Sequence, residues 1–157
     1  MTMVKMGSAV AALVLFLNAG ASAAGEHAHE HQHGATPTQS PTGQKWQSDE
    51  WLRRAMGKVH HALTEALPQI RKGKYSNAQY AALAQGVRGE IAYMVENCKL
   101  PEAADAQLHL IIERMEEGAA AMAGGDKAAA TGAGKVVVGV NDYLKRFDDP
   151  GLRPLRN

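Results

Sequence analysis

Four histidines, His27, His29, His31 and His33, stand at every second position of one short segment, with Glu26 and Glu30 among them. Neutral imidazole nitrogens at that spacing, on a flexible chain, can wrap around Cu(II), Ni(II) or Zn(II). Protons compete for the same nitrogens near pH ~6.5, so metal affinity is expected to rise with pH. If the chain is cut after Ala24, the new terminus reads Gly25-Glu26-His27. Its free amine, two amide nitrogens and imidazole could then form a square-planar site for Cu(II) or Ni(II). A cut one residue earlier removes that arrangement. The opposing reading is a solvated, mildly basic tail that takes metal only when metal is in excess.

Further along, Met56 and His60 are spaced one helical turn apart, as are Met94 and Cys98, so each pair shares a helix face and offers soft-metal or haem ligands. The plainer expectation is that Met56, Met94, Met115 and Met122 fill the core and that Cys98 is a small buried hydrophobe. His60 and His61 adjoin Val59, and neighbouring positions cannot both point inward. His109, beside Leu108, reads as a boundary histidine, and as a third candidate with Met56 and His60 only if haem is bound.

Nucleophilic chemistry finds little support, because no histidine lies near Cys98 in sequence to lower its pKa. Glu113, Glu116 and Glu117 read as an exposed helix face, and the Glu-x-x-His spacing of carboxylate-bridged diiron bundles does not occur on the core helices. No enzyme activity is expected.

The 157 residues leave room for a single domain. Lys5, an apolar run from Ala9 to Leu17, and small residues through Ala24 make the three-part layout of a secretory signal peptide (1–24), cleaved after Ala23 or Ala24. The run falls short of the roughly 20 apolar residues of a membrane span, so no membrane attachment is expected after cleavage and the destination is the periplasm. Of 17 basic and 16 acidic residues, removing Lys5 leaves 17 − 1 = 16 basic, and so near-neutral a balance argues against a nucleic-acid partner. Cys98 is the only cysteine, which excludes an intramolecular disulfide and covalent c-type haem.

Residues 25–45 have almost no large apolar side chain and read as a disordered, His-rich tail and linker. Residues 46–150 carry four helical patterns, and 151–157 a C-terminal tail. The first helix is expected to start with Ser48 as N-cap and to stop near Pro68, with Leu52, Met56, Val59, Leu63 and Leu67 on one face. Ser76 and Gln79 form a capping box for a second helix, whose inward face would carry Tyr80, Leu83, Val87, Ile91, Met94, Val95 and Cys98. Pro101 suits the first position of a third, with Leu108, Ile111, Ile112, Met115, Ala119 and Met122 inward. Asp126 is the expected N-cap of a fourth, which Pro150 and Gly151 close, with Val136, Val137, Val140, Tyr143, Leu144 and Phe147 inward. Gly132, Gly134 and Gly139 weaken that helix, and read as places where another helix comes close. The fold class expected is all-α, an antiparallel up-down-up-down four-helix bundle with a disordered N-terminal tail.

The stretches Asn97-Cys98-Lys99-Leu100-Pro101, Ala104 to Ile112, Gly118 to Gly124, Lys135-Val136-Val137, Asn141-Asp142-Tyr143 and Phe147-Asp148 resemble the small exported DnrO proteins of proteobacteria. The resemblance covers the chain after the tail and implies an exported helical bundle; the family name points to denitrification or metal-related surroundings. More distantly, the pattern resembles the soluble periplasmic b-type cytochrome, a four-helix bundle that holds haem between a methionine on its first helix and a histidine on its last. Met56 stands where that methionine would. Leu144 stands near the expected axial histidine, and the fourth helix has no histidine.

Three readings follow. The favoured one is a periplasmic, non-enzymatic protein that binds or buffers copper, nickel or zinc through the His-rich tail. The second is a haem-binding electron carrier. The third is a cofactor-free interaction or stress-response bundle with a periplasmic protein partner.

Overall fold

The computed structural model describes residues 43–156. The chain passes through β1 (Trp46–Gln47), α1 (Glu50–Arg71), α2 (Asn77–Asn97), α3 (Glu102–Ala123), α4 (Asp126–Arg146) and β2 (Phe147–Asp148), so it is mainly helical with four helices. Apolar side chains at steps of three and four bury one face of α1: Leu52, Ala55, Met56, Val59, Leu63, Ala66 and Leu67. Tyr80, Leu83, Val87, Ile91 and Met94 do the same on α2. These meet Leu108, Ile111, Met115, Ala119 and Met122 from α3 and Ala133, Val136, Val137, Val140 and Tyr143 from α4 in one core.

Helix ends follow the capping chemistry of the sequence, with several shifts. The N-cap of α1 is Asp49, where Ser48 was expected: Asp49 Oδ1 accepts the Leu52 amide at 2.7 Å. Ser48 is occupied elsewhere, its hydroxyl donating to the Asp148 carbonyl at 2.5 Å. The helix also runs past Pro68 to Arg71. Proline there removes one amide donor in the final turn, at an exposed position where the freed carbonyl is open to solvent, so the helix does not stop. The Ser76 and Gln79 capping box forms as expected, with Ser76 N donating to Gln79 Oε1 at 2.8 Å and Gln79 N to Ser76 Oγ at 3.3 Å.

Of the residues assigned to the inner face of α2, Val95 points outward and Cys98 lies just beyond the helix, still packed against the core. Val95 is 63% exposed. Cys98 is the half-buried C-cap in extended backbone, because the next amide, Lys99 N, is held by Asp49 Oδ2 at 2.7 Å and Pro101 disfavours helix just before it. Pro101 precedes α3 as its N-cap and is not its first residue; its carbonyl accepts from Ala104 and Asp105, both at 2.9 Å.

Gly125, not Asp126, is the N-cap of α4. Its φ of +71° lies in the left-handed region that side chains avoid, and Asp126 becomes the first helical residue. Gly132 and Gly139 inside α4 answer to close packing against α3. A Cβ on Gly132 would come within 2.6 Å of the Gly118 carbonyl, one on Gly118 within 2.6 Å of the Gly132 carbonyl, and one on Gly139 within 2.5 Å of Met115 Cγ. Val136, Val137 and Val138 are helical.

Helix α4 ends at Arg146, before Pro150 and Gly151. Phe147, expected on its inner face, is fully buried but as the first residue of β2. It pairs in parallel with β1, Trp46 opposite Phe147 and Gln47 opposite Asp148. Lys45 Nζ donates to the Leu144 carbonyl at 2.7 Å beside this ladder. The segment after β2 is held as well: Asn141 Nδ2 donates to the Leu155 carbonyl at 2.9 Å, and Leu155 N to Asn141 Oδ1 at 2.8 Å.

Candidate functional site

The metal-binding candidates His27, His29, His31 and His33 lie outside the described residues, as does the leader. The haem candidates lie within them and are differently placed. Met56 is fully buried among core side chains. His60 follows one turn later on the same helix, but its ring turns outward, with Nε2 at 2.8 Å from the Arg153 carbonyl. His61 faces solvent, 3.4 Å from Glu65. His109 is exposed, its Nδ1 3.0 Å from the Asp105 carbonyl and 3.3 Å from Asp105 Oδ2. Haem iron takes axial ligands from opposite faces of an open slot. Met56 and His60 share one helix, and Met56 lines none of the cavities described below.

Met94 and Cys98 do come together. They line a hollow of about 340 Å³ with Asp105, Leu108 and His109. Burial pushes the Cys98 thiol up to about 12, and Asp49 adds to this through its charge and a hydrogen bond, with a smaller contribution from Asp105. The thiol therefore stays protonated across the physiological range and is a poor nucleophile. Among the described residues, no three His, Cys, Asp or Glu side chains are grouped to hold a metal ion.

Glu116 and Glu117 of α3 form ion pairs. Arg88 Nε donates to Glu116 at 2.6 Å, and Lys135 Nζ to Glu117 at 3.0 Å. Arg114 pairs with Asp142, which also takes Lys145 Nζ at 3.0 Å. This agrees with the sequence reading of Glu116 and Glu117 as surface charges.

Two cavities escaped the sequence. The larger, about 680 Å³, is a groove along α4 bordered by α1 and α3, with an apolar floor that includes Leu67, Ile70, Ala130, Ala133, Gly134 and Val138. A smaller cleft of about 310 Å³ lies between α1 and the C-terminal segment, lined by His60, Arg71, Arg153, Leu155 and Arg156 among others. Leu67 and Arg71 line both. The available signals were the small residues on the outer face of α4 and two arginines in the last five residues. Neither is a motif, and the cleft exists only because Asn141 and His60 fold the C-terminal segment back.

No helix among the described residues is long and apolar enough to cross a membrane. The chain matches no protein-family model, no curated protein and no solved structure.

Proposed function

We propose that this chain is an exported, non-enzymatic metal-binding protein of the periplasm. Its His-rich segment captures copper, nickel or zinc, and its helices serve as a stable body. The observation that carries the reading is the alternation of His27, His29, His31 and His33 with Ala28, Glu30 and Gln32, four borderline nitrogen donors within seven positions. The signal-peptide layout ahead of it and the resemblance to the exported DnrO proteins are consistent with delivery outside the cytoplasm.

The body is read as an antiparallel up-down-up-down bundle. Short connections favour that arrangement, since only four residues separate α2 from α3 and two separate α3 from α4. Contacts across α3 and α4 point the same way: Gly118 meets Gly132 and Val136, whereas Met115 and Ile111, earlier in α3, meet Gly139, later in α4.

The test is a competition titration of the mature protein with Cu(I), Cu(II), Ni(II) and Zn(II), beside a variant lacking residues 25–33. Tight stoichiometric binding that disappears with the segment, and that weakens as pH falls through ~6.5, supports the proposal. Tight binding that persists would move the metal to the Met94, Cys98 and His109 hollow. Weak binding by both proteins would overturn the metal reading and favour a cofactor-free interaction bundle.

A further inference from the structure

The groove on α4 and the cleft beneath the C-terminal segment are complementary in chemistry. The groove floor is formed by Leu67, Ile70, Ala130, Ala133, Gly134 and Val138, the last 41% exposed. Its volume of about 680 Å³ is that of a ligand site, since small-molecule clefts fall in the range of about 300–1,000 Å³. The two charged side chains on its α3 border, Arg114 and Glu117, are each committed to a partner, Asp142 and Lys135 respectively.

The charge is different where groove meets cleft. Arg71, shared by both, stands with Arg153 and Arg156 in the cleft lining. Arg71 Nη1 donates to the Arg156 carbonyl at 3.2 Å, a contact with neutral backbone and not with a carboxylate. Among the described residues no carboxylate pairs with any of these three guanidinium groups. An apolar trough that shares Arg71 with a cleft lined by Arg153 and Arg156, none of them paired with a carboxylate among the described residues, is matched by a molecule with a hydrocarbon chain and a single anionic end. Guanidinium groups also suit a carboxylate in particular, because two parallel N–H groups can meet its two oxygens.

We propose that the α4 groove binds a long-chain fatty acid, with the hydrocarbon chain along Ala130, Gly134 and Val138 and the carboxylate at Arg71, Arg153 and Arg156. This site is independent of the His-rich segment and of the metal reading. Chain length should set affinity, since each buried methylene contributes roughly fourfold. The head group sits at the surface, so its contribution should weaken as salt rises.

Isothermal titration of the purified protein with decanoate, dodecanoate and tetradecanoate below their micellar concentrations tests this, with dodecan-1-ol as the uncharged control. The expected result is saturable one-site binding that tightens at each step in chain length, with dodecan-1-ol at least tenfold weaker than dodecanoate. Val138→Glu, a change at an exposed position, and Arg71→Gln should each weaken dodecanoate at least tenfold while leaving the circular dichroism spectrum and melting curve intact. If either variant unfolds, Ala130→Glu and Arg153→Gln replace them, with the same expectation. Absence of saturable binding, binding unchanged in the folded variants, or equal affinity for the alcohol would each overturn the proposal.

Discussion

The Tyr143 hydroxyl donates to Asp149 Oδ2 at 2.8 Å in the interior, joining the last turn of α4 to the residue just after β2. Burial pushes the phenol pKa up, and Asp149 adds to the rise, so the hydroxyl keeps its proton and remains a donor. The other carboxylate oxygen accepts the Gly151 amide at 3.1 Å. Tyr143→Phe keeps the ring that stacks on Phe147 but leaves Asp149 short of one donor. The expected loss is about 1.5–3 kcal/mol, the scale of a hydrogen bond to a charged group. Urea denaturation should show a lower midpoint. In a double-mutant cycle with Asp149→Asn, the two losses should fall short of additivity.

Asp49 controls both a helix start and a thiol. One oxygen caps α1 and the other holds the Lys99 amide, while the carboxylate also raises the pKa of Cys98. Because the folded pKa of about 12 lies above the ordinary thiol value of 9.0, the folded protein retains a proton that the unfolded chain releases in that interval. The stabilisation is fully present below pH 9.0 and is lost as pH rises toward 12. Iodoacetamide should alkylate native Cys98 slowly at pH 8, and faster only as the solution becomes strongly alkaline. Asp49→Asn should move that rise to lower pH without returning it to the free-thiol value, since burial, the larger cause, remains. Measuring the alkylation rate from pH 7 to 11 decides both points.

Glycines in these helices divide into two groups with opposite expected effects. A methyl at Gly118 or Gly132 meets backbone atoms at 2.6 Å, so Gly118→Ala and Gly132→Ala must push α3 and α4 apart. Overpacking of this kind costs about 1–3 kcal/mol, against at most about 1 kcal/mol gained in helix propensity. At Gly57, Gly86 and Gly89 nothing lies within 4 Å of the added carbon. Alanine at any of these three should raise stability by about 0.4–1 kcal/mol. Melting temperatures of the five single variants test the division.

Asn141 holds Leu155 by a reciprocal pair of hydrogen bonds. Asn141→Asp keeps the acceptor for the Leu155 amide but sets a carboxylate oxygen against the Leu155 carbonyl, and the segment 152–156 should loosen. Hydrogen exchange at Leu155 is expected to accelerate at least tenfold while amides in α2 are unaffected.

How far these features could be read in the sequence depended on whether their cause is local. The four helices and most of their inward faces follow from spacing, and the Ser76–Gln79 box from four adjacent residues. Gly132 and Gly139 of α4 also read correctly as approach sites, whereas Gly134 lines the groove. Ser48 and Asp49 were harder to separate, because both are good caps and the choice depends on Asp148, 100 positions from Ser48. The same distance hid β1 and β2: two residues apiece give no alternation to detect, and their pairing exists only once α4 brings Phe147 beside Trp46. Val95 lies within α2 but next to Met94, and with Met94 fully buried its neighbour faces out; Cys98 was read as helical although α2 ends at Asn97, where Asp49 captures the Lys99 amide. At the candidate site, half-buried His60 and exposed His109 could be expected near the core edge, but the cleft under Arg153 and Arg156 required knowing that the C-terminal segment turns back along α1.

The parallel sense of the β1 and β2 pair has a mechanical consequence. A pull applied before Trp46 and after Asp148 acts along the strands in opposite directions, so the two short strands would have to slide past one another rather than peel apart. Their ladder, the Lys45 contact to Leu144 and the Ser48 contact to Asp148 would carry the load together. The four helices between them would be shielded until all of these gave way at once, a latch that resists tension on the chain's two ends far better than its two-residue length suggests.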